Sequence, residues 1–149
     1  MNVSSILRRK GTRVETAKPQ TTVGEAARRL TSEGIGSLVI LDAGGNLRGV
    51  LSERDLVRAV AQHGASAWSV PVADLLREQP PTCRPEDSLR AVMSLMTRSR
   101  ARHLPVIAGE ALVGIVSIGD VVKGQLEELE LEVSVLRDYA RAWGQHPRV

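Results

Sequence analysis

This chain is written twice. The stretch Gly49-Val50-Leu51-Ser52-Glu53-Arg54-Asp55 returns as Gly114-Ile115-Val116-Ser117-Ile118-Gly119-Asp120. In each copy an apolar run leads into the serine and an amphipathic run follows the aspartate. A repeat of about 65 residues is too small to bury a sheet alone, so the two must pack on each other as one pseudo-symmetric body.

The likeness extends in both directions. Residues 22–30 align with 88–96, placing Val23, Ala26, Ala27 and Leu30 on Leu89, Val92, Met93 and Met96. That spacing is the one-sided stripe of a packed helix. Thr22 with Glu25 forms a capping box, and Ser88 caps the second helix alone. Upstream, Thr16-Ala17-Lys18-Pro19 matches Thr82-Cys83-Arg84-Pro85, short strands ended by proline. Earlier still, residues 3–7 resemble 72–76 at a different offset, so the linker after this element differs in length between copies. Downstream, Ser37-Leu38-Val39-Ile40-Leu41 matches His103-Leu104-Pro105-Val106-Ile107, read as buried strands. Turns at 42–46 and 108–111 lead into strands 47–51 and 112–116.

The expected fold class is therefore α/β (α+β): two pseudo-symmetric β-α-β-β-α repeats, each led by a helix, packed through their sheets. Residues 1–63 form the first repeat, 64–71 a linker, 72–124 the second repeat and 125–149 a helical tail. In that tail Leu126, Leu129, Val133, Leu136, Ala140 and Trp143 step by three and four, a heptad seam. Gly144 reads as its stop, giving a helix over about 120–143. Such a helix packs on its own body or on a partner helix, and the regular seam favours a homodimer.

Composition removes several classes. The hydrophobic fraction of 42% fits a globular chain, and 2% aromatics with no Phe demand an aliphatic core. The net charge is +3, with scattered basic residues and almost no aromatics, which disfavours a nucleic-acid partner. Cys83 is the one cysteine, which excludes an internal disulfide and reads as a small buried filler. No stretch is long enough to span a membrane, and the first ten residues lack the order of a signal peptide, so a cytoplasmic location is expected. No His, Cys, Asp or Glu cluster has metal-ligand spacing, so no metal is expected. Ser52 and Ser117 have no histidine nearby to activate them, so no catalytic residue is assigned. His146 reads as a terminal surface residue.

Alone, Ser-x-x-Asp before an apolar run is an ordinary helix cap. The same corner can also bind a ligand. A helix N-terminus at a strand's end offers N–H donors and a positive field suited to phosphate. The serine adds a donor, the carboxylate can accept from a ribose diol, and the preceding glycine lets backbone approach a ligand. Two equivalent corners favour two equivalent clefts for a small polar molecule.

These paired motifs, the Arg102-His103-Leu104-Pro105-Val106 strand and the Val-x-x-apolar-Leu starts at Val3 and Val72 resemble a tandem pair of CBS domains, a Bateman module. The resemblance implies a non-enzymatic regulatory module with no obligatory cofactor. Its implied ligands are AMP, ADP, ATP, NAD(H) or S-adenosylmethionine, bound between the repeats. The first implied cleft uses Val50, Ser52, Arg54 and Asp55 with Thr82, Cys83, Arg102, His103 and Pro105. Asp55 would hold ribose, Arg102 and His103 phosphate, and strand backbone near Thr82 and Cys83 the adenine edge. The second uses Ile115, Ser117, Gly119 and Asp120 with Thr16, Ala17, Ser37 and Val39. There Gly36-Ser37 replaces Arg102-His103, so weaker binding is expected. The implied role is to report energy or redox state to a separate, unidentified target protein. The rival readings are a structural or interaction protein with empty clefts, a nucleic-acid binder, and a nucleotide hydrolase, which the missing metal site and base oppose.

Overall fold

The computed structural model describes residues 1–145, so His146 and the last residues of the 125–149 tail lie outside the described residues. Asn2 caps α1 (Val3–Lys10) through its side chain, and β1 (Thr16–Ala17) follows. The capping box at Thr22 and Glu25 opens α2 (Val23–Glu33), and Gly34 closes it in the left-handed conformation at φ 63°. Then come β2 (Ser37–Leu41), β3 (Leu47–Ser52) and α3 (Glu53–His63). The second repeat runs α4 (Leu89–Ser99), β4 (His103–Ala108), β5 (Ala111–Ser117) and α5 (Ile118–Gly144).

Two departures from the sequence reading lie in the leading elements of the second repeat. Residues 72–75 form a short 3-10 turn where the first repeat has the helix α1, and Pro80-Pro81 bar a helix of similar reach from running on past it. Cys83 makes a single parallel bridge to Val106 in place of a strand. That bridge nevertheless matches the β1–β2 pairing of Ala17 with Ile40, so the registers of the two halves agree. The linker is a 3-10 segment, Gly64–Ser69, whose Trp68 lies over Gly24.

The halves exchange their leading elements. Val3, Ile6 and Leu7 of α1 pack in one cluster with Leu89, Val92, Met96, Leu104, Val106, Val116 and Val121 of the second repeat. Val72 packs among Ala26, Leu30, Leu38, Ile40 and Leu51 of the first, with Leu75 and Leu76 beside it. Backbone bonds repeat the symmetry. Val3 and Ser4 donate to Asp87 and Pro85, and Val72 and Ala73 donate to Thr21 and Pro19. Each core thus contains a piece of the other half, and folding either alone would strip it of buried aliphatic surface.

The exchange corrects the reading of the motif glycines. A Cβ on Gly114 would stand 2.7 Å from Leu7 Cδ2, and one on Gly49 would stand 3.1 Å from Leu76 Cδ2. Both glycines make room for the exchanged leucines, and the expected close approach to a ligand has no place there.

Candidate functional site

Packing the halves this way brings the end of β3 opposite the start of β4. Between them lies a cavity of about 460 Å³, the size of a small-molecule site. Val50, Ser52, Arg54 and Asp55 line it from the first repeat, and Arg102 and His103 from the second. Gly36, Glu53, Arg58, Leu75, Arg77, Pro80, Pro81, Arg100 and Ala101 complete the wall.

Thr82, Cys83 and Pro105 are not among the lining residues. Cys83 is buried in the second core, its N–H donates to the Pro105 carbonyl and its carbonyl accepts from Ile107 N–H. Its N–H is therefore committed to strand pairing, and its carbonyl already accepts one bond. Burial, with the nearby Asp87 charge, pushes its thiol up to about 12, so it stays a protonated filler. Pro80 and Pro81, immediately before Thr82, supply the apolar wall instead.

The Ser52 corner is both cap and cavity wall. Asp55 Oδ2 accepts from Ser52 N–H at 2.8 Å and from the Ser52 hydroxyl at 3.1 Å, and Arg58 donates to Oδ1 at 3.1 Å. The carboxylate thus turns partly onto its own main chain, while the hollow beside it remains open. An ionised carboxylate offers about four lone-pair sites, so capacity remains for a sugar hydroxyl.

The cavity wall is strongly cationic. Five arginines line it, at 54, 58, 77, 100 and 102, against two acids, Glu53 and Asp55. Arg58 pairs with Asp55, and Arg77 donates to the carbonyls of Ser99 and Arg100 at the end of α4. Among the described residues no hydrogen bond or ion pair engages the guanidiniums of Arg54, Arg100 and Arg102. Unpaired guanidiniums beside one hollow are suited to a multiply charged anion, since each planar fork can donate two parallel hydrogen bonds to a phosphate or carboxylate. Sequence reading missed Arg58, Arg77 and Arg100. The i, i+4 spacing of Arg54 and Arg58 on α3 was a usable signal, whereas Arg77 arrives through a linker without one.

His103 stands at the centre. Burial pushes its imidazole below the ordinary 6.5, the Lys10 charge adds to this, and Asp120 and Glu53 oppose it. The imidazole is thereby biased toward its neutral form, in which one ring nitrogen donates and the other accepts. Gly36 faces it, and a Cβ at 36 would stand 3.5 Å from His103 Nε2. The repeat equivalents Gly36-Ser37 and Arg102-His103 thus meet, and the small pair leaves space for the large one.

The second corner differs. Ser117 and Asp120 cap α5 reciprocally, with Asp120 N–H donating to the Ser117 hydroxyl at 3.2 Å and Ser117 N–H donating to Asp120 Oδ2 at 2.9 Å. Lys10 from α1 donates to Asp120 Oδ2 at 2.7 Å and to the Ile115 carbonyl at 3.1 Å. Burial works to raise Asp120, but the Lys10 and Ser117 bonds hold its carboxyl below the usual range. Lys10, which the sequence reading gave no role, thus engages one oxygen of this aspartate. Thr16 and Val39 are register partners, Val39 is buried, and Ala17 pairs with Ile40. Ser37 pairs with Ser52, and exposed Gly119 lies beside the Ser117 hydroxyl. Among the described residues no hydrogen bond or ion pair joins Thr16, Ala17 or Val39 to the Asp120 corner.

Among the described residues no helix is long and apolar enough to cross a membrane. The family model of the CBS domain matches residues 3–62 and 72–127. The chain is 37% identical over 122 residues to the mitochondrial CBS domain-containing protein CBSX3 of Arabidopsis thaliana, covering 79% of this chain but 59% of that protein. A CBS-domain containing protein from Agrobacterium tumefaciens superposes with a TM-score of 0.80 at 40% identity, covering 83% of this chain and 92% of that one. The CBS domain pair of MJ0100, solved with 5′-methylthioadenosine and S-adenosyl-L-methionine, has the same fold, with a TM-score of 0.72 at 24% identity over 83% of this chain and 98% of that one. With both halves matched and the exchanged, pseudo-symmetric body in view, this chain belongs to the CBS-domain family as a tandem pair.

Proposed function

We propose that this chain is a non-catalytic regulatory module that binds an adenine nucleotide through the cleft between Asp55 and Arg102. The observation that carries the reading is the set of free arginines facing the Ser52–Asp55 corner across an open hollow. The carboxylate suits the ribose, the guanidiniums suit phosphates, and the Leu75, Pro80 and Pro81 wall suits a base. The adenosyl compounds bound by the MJ0100 pair support an adenosine ligand at the level of the fold. The cationic wall favours phosphorylated forms such as ADP, ATP or NAD(H). Lys10 at Asp120 makes the second corner the weaker site. A single buried, unpaired cysteine fits a reducing compartment such as the cytoplasm. The bound module acts on a separate target protein, and two copies associate through α5.

Calorimetric titration with adenosine, AMP, ADP and ATP tests this reading. Affinity is expected to rise at each added phosphate, and to fall steeply with salt as screening weakens the arginines. Equal affinity for adenosine and ATP would sink the phosphate assignment, and no heat with any of the four would favour a purely structural role.

A further inference from the structure

Arg100 is the one non-glycine residue at positive φ among the described residues, at φ 53° and ψ 36°. It occupies the left-handed cap position at the end of α4. Its repeat equivalent, Gly34, holds the same position after α2 at φ 63° and ψ 38°. A side chain in this conformation crowds its own backbone, which is why glycine is the usual occupant. The cap itself needs no side chain: the Arg100 N–H donates to the Met96 carbonyl, and the Arg100 carbonyl accepts from Arg77. Arg100 lines the cavity, and its guanidinium has no hydrogen-bond or ion-pair partner among the described residues. Strain kept at a cavity rim, where the equivalent position avoids it, is a mark of function.

We infer that Arg100 is a specificity-determining residue for the phosphate chain of the ligand, held at the expense of fold stability. The inference rests on the nucleotide reading of the same cleft. It makes two predictions of opposite sign for one substitution. Arg100→Gly is expected to raise Tm by about 2–4 °C, the shift that relief of one strained residue gives in a chain of this size. The same substitution is expected to weaken ATP binding about tenfold while leaving adenosine binding within about twofold, the scale of one charge-assisted contact.

Gly34→Arg is the mirror experiment. A Cβ at Gly34 meets nothing within 4 Å, so the change adds conformational strain without a clash. Its Tm is expected to fall by about the same 2–4 °C. Titrating Arg102→Ala alongside separates the two levels of the argument. Loss of ATP affinity in both Arg102→Ala and Arg100→Gly supports the inference. Loss in Arg102→Ala alone leaves the cleft reading standing and overturns the role of Arg100. A fall in Tm for Arg100→Gly removes the strain argument and overturns the inference too. No ATP binding by the wild-type chain overturns both.

Discussion

Replacing Arg54 and Arg102 together by alanine is expected to weaken ATP binding at least about 100-fold with little change in Tm. Each guanidinium that reaches a phosphate makes charge-assisted hydrogen bonds of about 1.5–3 kcal/mol, and about 1.4 kcal/mol is a factor of ten in affinity. The two side chains approach from opposite walls, one on α3 and one beside β4, so neither replaces the other. Both are exposed and make no side-chain hydrogen bond or ion pair among the described residues, so their loss removes no polar contact from the fold. A titration in which the double variant binds ATP within about threefold of wild type would mean that the anion, if any, sits elsewhere.

The second large effect concerns α5. Its heptad positions Leu126, Leu129 and Leu136 are 54%, 54% and 66% exposed on one chain, far more than isolated leucines on a helix meant to fold back. The helix is 27 residues long, and only its start packs on the body, through buried Val121 and Gly124. Run antiparallel against a copy of itself, the seam pairs Leu126 with Trp143, Leu129 with Ala140 and Val133 with Leu136, so large residues face smaller ones or one another in register. Glu130 and Arg137, which flank one shallow groove with Leu129 and Val133, then lie close enough to pair reciprocally. The double variant Leu129→Glu/Leu136→Glu is expected to sediment as a monomer at concentrations where the wild type is a dimer. Four buried charges in the dimer seam would each cost several kcal/mol unpaired, whereas in the lone chain the sites face solvent. A dimer that survives both substitutions would place the contact on another face, and a monomeric wild type at about 100 μM would remove it.

Much of this fold was legible because its signals are local. Capping at Thr22, Ser52, Ser88 and Ser117, the apolar stripes of α2 and α4, and the paired strands all announce themselves within a few residues. The exchange of α1 and residues 72–75 was not legible, because it is a choice between two nearly identical cores. Only the room left at Gly49 and Gly114 marks it, and a glycine beside a motif reads equally well as ligand access. The site divides in the same way. Ser52 and Asp55 stood out because both copies keep them, whereas Arg102 and His103 came from the family resemblance. Lys10 and Arg77 enter through the exchanged elements, so no alignment of the copies could place them. Arg100 against Gly34 was visible as a difference, but its meaning depends on a backbone angle.

The asymmetry between the corners follows from that same exchange. A longer α1 carries Lys10 to Asp120, whereas the shorter turn at 72–75 leaves Asp55 facing an open cavity. Two copies of one motif thereby differ: Asp120 is paired with Lys10 from the exchanged helix, whereas Asp55 is paired only with Arg58 of its own helix and borders the cavity.

Titration of ATP into the wild-type chain, Asp55→Ala and Asp120→Ala tests the central assignment most directly. One strong site per chain is expected, weakened about tenfold or more by Asp55→Ala and by less than about threefold by Asp120→Ala. The opposite ranking would contradict the account.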